Sequence, residues 1–596
     1  MPGPVGITFN GNYIVRPGAY SRIDASAMVP SGVGAGNNVG VAAMCDGGIP
    51  GLVYAFTSFN QAQSILRAGP ALSYLARIFN PTSDPALSGA SMVLFQRVVP
   101  AANPVKQSSL NAAGLTFTSR DYGRHTNGIA VSIVAGAVFG TWSVTVAKSA
   151  DGYSRTYTVG LALSVSSTLP TAQVVFDHLN KECNLYSAST LVAQLAYPDT
   201  TTTVATLVSF INGLPGWSAS LTGDGSMPLC YMDNPTQGTS GSLSNDLQED
   251  TTQIGTTPTP LYACQGALAY QLQNDPQVSA ALTSGSVYGP LAVLTSTPLT
   301  GGSGTGNDSY VPSDYTPILA NFQTQDIQHL FLGAPDAAVA QLGYLHVLSM
   351  NTITRRRWRI LYTGGALGQT PAQAIAAAQT LGGPVCFAWN GTAFPNPVTG
   401  LAENLGGLGT AAQMCGLAGG TPDSTSLTNK MLVASGLEIP SPQDSDIDAL
   451  LVGGVSPVAY DPITGAPIIV QALTTYQGGA NVAYRKLQGL RIQFNLQRGF
   501  QAVLSPFIGG DLDLITANRL KSKVVDFLND STITASNPDG VLTQGCKNGK
   551  ITPSWDNLAI TSDGMQSWYI NVDTHPVGES AYILTTVFLT PAQIEV

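Results

Sequence analysis

Between Arg359 and Asn390 the chain reads RILYTGGALGQTPAQAIAAAQTLGGPVCFAWN. It opens as a strand, Arg359-Ile-Leu-Tyr, and closes as a buried strand, VCFAWN. Between the two, Thr370 is an N-cap, Pro371 fits the first helical position, the interior is alanine-rich and Gly382 marks the stop. Strand, helix and strand in that order imply a parallel sheet, because parallel neighbours need a crossover that a hairpin cannot supply. The stretch from Val39 has the same texture. VGVAAMCDGGIPGLVYAF reads as strand, loop and strand, and Ser58 then caps a helix that Gly69 can stop. Leu72, Leu75, Ile78 and Phe79 lie on one helical face, and SMVLFQRVV is a buried strand.

The texture changes near Leu115. Ile129-Ala-Val-Ser-Ile-Val, Trp142-Ser-Val-Thr-Val and Thr156-Tyr-Thr-Val are short β-prone runs split by Gly, Asp and Ser, the pattern of a small β-sandwich or barrel. Residues 166–290 mix Ser/Thr-rich text with short helices, so 115–290 reads as an inserted β-rich region. The α/β texture returns at Leu291. Near the end, TANRLKSKVVDFL (Thr516 to Leu528) is an amphipathic helix with Leu520, Val524, Phe527 and Leu528 inward and Arg519, Lys521 and Lys523 outward. The strand-like SWYINVDTHPVGESAYILTTVFL follows.

At 596 residues the chain exceeds one ordinary domain. Its apolar fraction of 44% supports sizeable cores, but only 10% of residues are charged, against about 25% in a typical soluble domain. Such a weakly charged surface is poorly protected against association, which suggests that association is its purpose. A net charge of -10 argues against a dedicated nucleic-acid binder. No apolar run reaches a membrane span, and MPGPVGITFNGNY lacks the features of a secretory signal, so folding in a cytoplasm is expected. The cysteines are scattered, with no CxxC pair, and read as free, buried thiols.

Catalytic signatures are missing. There is no GxxxxGK, HExxH or GxSxG, and GGSGTG (Gly301 to Gly306) lacks the register of a nucleotide-binding turn. His125, His178, His329, His346 and His575 have no partner at metal-ligand spacing. No cofactor is expected. RRRWR (Arg355 to Arg359), the densest charge run, reads either as a solvated turn beside a strand or as a contact to an acidic partner surface. Nucleic acid is the weakest reading, since one tryptophan is no stacking platform.

Several stretches in order resemble the tail sheath proteins of contractile bacteriophages. They are RPGAYSRID (Arg16 to Asp24), VGVAAMCDGGIPGLVYAFTSFNQAQSILRAG with MVLFQRV, DYGRHTNGIAVSI, LTGGSGTGNDSYVPSDYTPILANF, and the run through YRKLQGLRIQFNLQRGFQAVLSPFIGGDL to INVDTHPVGESAYILTTVFL. Residues 166–290 lie outside the match. The family's Gly-x-Arg-Thr is also absent, QALTTY standing there instead.

The resemblance implies a multidomain α/β and α+β fold. Residues 25–114 plus 291–472 form a subtilisin-like, non-catalytic α/β sheath core, and 115–290 an inserted, outward-facing β-rich module. Residues 473–579 form the C-terminal, tube-facing α+β domain, while 1–24 and 580–596 are extended linking arms. It implies a homo-oligomer of hexameric rings in a helical array around a tail tube protein, meeting baseplate and tail terminator proteins, with no direct nucleic acid and no membrane insertion. Assembled in the bacterial cytoplasm and carried on the virion tail, the array contracts to drive the tube through the host envelope for genome ejection. The alternative is the sheath of a phage-derived bacteriocin or extracellular contractile injection system. By the same resemblance Ile14, Val15, Arg16, Pro17, Gly18 and Tyr20, with Tyr582, Ile583, Leu584, Val587, Phe588 and Leu589, would add strands to neighbouring subunits. Pro17-Gly18 would be the bend of the first arm, and Arg519, Lys521 and Lys523 would grip the tube.

Overall fold

The computed structural model describes residues 7–9, 12–14 and 37–578, apart from 139, 178–179, 199, 234–250, 284–287, 353, 477, 479–481, 510–512, 548–549 and 563–567. An eight-stranded sheet forms its centre, built from β1 (Val39–Ala43), β2 (Val53–Phe56), β3 (Val93–Arg97), β4 (His329–Leu332), β5 (Ile360–Gly364), β6 (Val385–Trp389), β7 (Ser456–Tyr460) and β8 (Pro467–Ile469). The spatial order is β8-β7-β6-β5-β4-β1-β3-β2. The strands from β3 to β7 in that order run parallel, and β2 and β8 close the two edges antiparallel. β1 and β6 are buried at every position because helices cover both faces, which is why they read as unbroken apolar runs.

The covering helices are α1 (Phe59–Leu66), α2 (Pro70–Phe79), α3 (Ala337–Met350), α4 (Pro371–Thr380), α5 (Gly406–Gly420) and α6 (Asp444–Val452). Alternate strand residues separate two cores. Val41, Phe331, Tyr362 and Cys386 pack with α2 and α5, whereas Leu330, Leu361, Val385 and Phe387 pack with α3, α4 and Leu450 of α6. α5 (GGLGTAAQMCGLAGG) is buried over nearly its whole length. A Cβ at Gly407 would stand 2.4 Å from the Ala388 carbonyl oxygen, and one at Gly416 2.1 Å from that of Ile78. Close approach to β6 and α2 therefore offsets the helix-weakening effect of these glycines.

The caps follow the sequence reading at α1 and α4 starts. Ser58 accepts from the Gln61 N–H, and Thr370 forms a capping box with Gln373. The stops differ. α1 ends at Arg67, in a positive-φ conformation, so Gly69 does not stop it but instead precedes Pro70 at the start of α2. α4 ends at Leu381, one residue before Gly382.

Between β3 and β4 lie several β-sheets. One follows the order Trp217–Leu221, Tyr153–Ser167, Trp142–Lys148, Ile129–Ala135, Leu294–Pro298, with Thr259–Ala263 also pairing with Tyr153–Ser167. Another joins Val278–Leu282, Leu115–Ser119 and Ser109–Ala112. The β-rich sheets thus draw strands from both sides of the 115–290 stretch. Ala113 and Gly114, both at positive φ, make the tight turn that folds Ser109–Ala112 onto Leu115–Ser119. A separate four-stranded sheet containing Ala172–Asp177 and Glu182–Ser187 packs under the helix Val204–Asn212 around Phe176, Leu185 and Leu207. The whole is a mixed α/β multidomain fold.

Candidate functional site

The C-terminal region is built on two helices, α7 (Leu487–Leu504) and α8 (Leu514–Asp530). Asp513 caps α8 by accepting from the Thr516 N–H at 2.6 Å. Leu520, Val524 and Leu528 bury their stripe against Ile492, Val541 and Leu542, and Phe527 meets Phe500 edge-on with ring centroids 4.9 Å apart. This is the inward face that the sequence predicts. Arg519, Lys521 and Lys523 are all exposed, and among the described residues none has a carboxylate within 4.0 Å.

They do not share one face, however. At about 100° per residue Arg519 and Lys523 are i,i+4 neighbours, while Lys521 stands about 160° from each, on the other flank of the buried stripe. A two-residue spacing that looks like one basic patch in the sequence is split by the helical period.

Beside α7 lies a predominantly apolar groove of about 470 Å³, lined by Ile492, Leu496 and Phe500 on one side and by Val572, Thr574 and Val577 on the other. The strand Trp568–Thr574 pairs with Trp555–Ser562 in a two-stranded sheet. Its other edge is unpaired among the described residues, and the chain reaches the groove at Gly578.

α7 is fastened to the core through an adjoining face. Asp423 follows α5 in a buried loop. Arg491 Nε lies 3.2 Å from Asp423 Oδ1, and its Nη atoms donate to the carbonyls of Ala418, Thr421, Pro422 and Thr425 at 2.7–3.1 Å. Asn495 donates to Asp423 Oδ2 at 2.8 Å, and Arg498 lies 3.4 Å from the same oxygen. Gln488 donates to the Ser424 carbonyl. These four side chains recur at spacings of three and four and so form one helical face. Sequence reasoning missed them. The spacing is visible in LQGLRIQFNLQR, but nothing local marks the loop they hold.

Of the residues proposed for the arms, Ile14 ends the second strand of a short hairpin, paired with Ile7. Val15, Arg16, Pro17, Gly18, Tyr20 and Tyr582, Ile583, Leu584, Val587, Phe588, Leu589 lie outside the described residues, as does the Pro17-Gly18 bend.

The other polar groups are held in structural contacts. GGSGTG is a stitched loop: Gly302 exchanges two hydrogen bonds with the Asn127 side chain, at 2.9 and 3.0 Å. His125 stands 2.9 Å from Asp121 Oδ2 and 3.8 Å from Asp46 Oδ1. Burial pushes its pKa down, but the two carboxylates outweigh this and hold it above the ordinary 6.5. His346 contacts Arg359 at 2.8 Å, and His329 contacts the Tyr362 hydroxyl at 3.2 Å. Burial pushes the Cys45 and Cys386 thiols up to about 12. Among the described residues no histidine ring is hydrogen-bonded to a serine, threonine or cysteine side chain, and no group of three or more His, Cys, Asp or Glu could hold a metal. Nor is any described helix long and apolar enough to cross a membrane.

No family model matches the chain. It is 28% identical over 498 residues to the tail sheath protein of Bacillus phage SP01, covering 81% of this chain and 82% of that one. It is 25% identical over 540 residues to a chain of Enterococcus phage phiEF24C provisionally given the same name, covering 87% and 89%. Its fold is similar to the crystal structure of the sheath tail protein from Desulfitobacterium hafniense, with a TM-score of 0.55 at 14% identity over 94% of this chain and 97% of that chain. The chain is thus similar in sequence to tail sheath proteins of phages and in fold to a sheath tail protein.

Proposed function

We propose that the chain polymerises as hexameric rings in a helical array around a tail tube, anchored at the baseplate and closed by a terminator, and contracts to drive the tube through the host envelope. In this reading 25–114 with 291–472 is the subtilisin-like core, the β-rich insertion faces outward, and 473–579 faces the tube. The terminal arms link subunits, and Arg519 with Lys523 forms the stronger tube contact, Lys521 lying apart. The observation that carries the reading is the unpaired edge of Trp568–Thr574 above an apolar groove. Such an edge offers amides and carbonyls that an incoming strand satisfies. ESAYILTTVFL, apolar and β-prone, begins one residue beyond Gly578, the last described position.

The test is electron microscopy of the purified full chain and of chains lacking 1–24 or 580–596. The full chain should form long sheaths. Each truncated chain should stay soluble and form only short or no sheaths. Normal sheaths from both truncations would refute the arm linkage.

A further inference from the structure

The RRRWR run takes no part in the surfaces described above. It forms the turn from α3 to β5, and two of its residues are explained locally. Arg359 is fully buried, donating to the carbonyls of Phe322 and Gln325 at 3.1 Å, and Trp358 packs at a tilt against Phe494 with centroids 5.6 Å apart. Arg355, Arg356 and Arg357 are exposed. Arg355 donates to Gln323 Oε1 at 3.1 Å, and Arg357 donates to the carbonyls of Thr324 and Gln325, all neutral acceptors. Among the described residues neither has a carboxylate within 4.0 Å, although the exposed Asp326 lies in the neighbourhood of Arg359. The adjoining α3 (AAVAQLGYLHVLSM) carries no Asp, Glu, Lys or Arg, and Leu345 and Leu348, one turn apart, are 53% and 40% exposed. Apolar surface and cationic surface meet at this corner.

The same helix layer ends in the opposite chemistry. α6 (DSDIDALLV) carries Asp444, Asp446 and Asp448 with no basic residue, and its Val452 is 73% exposed. The topology fixes how far apart these ends are. β4, β5, β6 and β7 are parallel neighbours, and α3, α4 and Leu450 of α6 pack on one face of them. α3 and α6 are therefore separated by α4, about 20 Å at ordinary helix spacing. Each helix runs back against its strands. The arginines thus sit where the strands begin, and Asp444 sits towards where they end, a further offset of about 13 Å along the nine residues of α6. Diagonal corners are well beyond the ~8 Å screening length, so they do not neutralise each other within one subunit. Between copies they are complementary in charge, and the basic corner carries exposed aliphatic side chains. A basic corner meeting an acidic corner on the next copy is a heterologous contact, the kind that builds rings where the rotation closes and open helices where it does not.

We propose that the Arg355–Arg357 corner, with Leu345 and Leu348, docks on α6 of a second copy of this chain. The proposal rests on the sheath-subunit reading and names a contact which that reading leaves open.

The test uses the full chain and follows assembly by sedimentation and electron microscopy. The variants are R355E/R357E, D444K/D448K and all four substitutions together. All four positions are exposed, and melting curves check that each variant folds. Charge reversal removes the exposed ion pairs and puts repulsion in their place. Each double variant should raise the protein concentration needed for assembly about tenfold or more, and the quadruple variant should return it to within about threefold of wild type. Wild-type assembly with both double variants unaffected would overturn this contact and leave the sheath reading standing. Loss of assembly in R355E/R357E alone would mean that the arginines meet a different acidic partner, which also overturns it. A wild-type chain that never assembles would overturn the sheath reading and the contact with it.

Discussion

Asp423→Ala tests whether the α7 clamp holds the C-terminal region on the core. The carboxylate side chain is 3% exposed and that of Arg491 1%, so the pair is buried on both sides. Removing one member of a buried pair leaves the other charge uncompensated, at a cost of about 3–5 kcal/mol. Arg491 keeps its carbonyl acceptors at Ala418, Thr421, Pro422 and Thr425, and Arg498, at 18% exposed, is partly hydrated. The loss should therefore fall near the lower end, about 3 kcal/mol. A chain of several domains does not unfold in one step, so the loss is best read locally. In amide hydrogen exchange under conditions where opening is a pre-equilibrium, about 3 kcal/mol corresponds to roughly 150-fold faster exchange in α7. Central-sheet amides in β5 and β6 should change little. D423A/R491M removes both charges and should exchange more slowly than D423A alone, because replacing a buried pair by apolar groups is often neutral. Exchange in D423A within threefold of wild type, or a double variant worse than D423A, would refute the clamp.

Two further outcomes follow from the core and its junction. At the His125 junction, Asp121 is partly buried, which opposes ionisation, but hydrogen bonds from His125 and from the Tyr122 and Gly48 N–H groups hold its pKa below 3.8. His125 is held above 6.5 between Asp121 and Asp46, with Lys148 opposing from the next strand. Its stabilisation is therefore complete below about pH 6.5 and is lost as pH rises through the raised value, while that of Asp121 is lost as pH falls below 3.8. H125N should lower the melting temperature more at pH 6 than at pH 9, and an equal drop at both pH values would contradict the charged bridge. Gly416→Ala places a Cβ 2.1 Å from the Ile78 carbonyl oxygen, so α5 and α2 must separate. This should cost about 1–3 kcal/mol of core stability, measured by chemical denaturation with a fluorescence probe of the core, and a neutral G416A would show that the two helices are not packed so closely.

Several elements of this protein are determined by its sequence alone. The Thr370-Pro371 start, the alanine-rich interior and the flanking apolar runs specify a crossover helix between parallel strands, because capping and periodicity act within a few residues. The α8 stripe of Leu520, Val524, Phe527 and Leu528 is legible for the same reason. So is the inertness of the scattered thiols, since the described ones are free and mostly buried. Helix stops were less legible. Gly69 serves the start of α2, where it passes 2.9 Å from the Cys45 backbone, a contact no local pattern announces.

The long-range contacts and the surfaces proposed for assembly depended on the tertiary structure. The partner of Arg491 lies 68 positions away, and the strand that completes the Ile129–Ala135 sheet edge begins at Leu294. Arg519, Lys521 and Lys523 became two flanks only when wound at the helical period. The RRRWR run and the aspartates of α6 became opposite corners only when three crossovers set them on one face of the sheet. In each case the deciding quantity is a distance through space between segments remote along the chain. That distance is set by how the layers pack, whereas periodicity, capping and composition report only on neighbours in sequence.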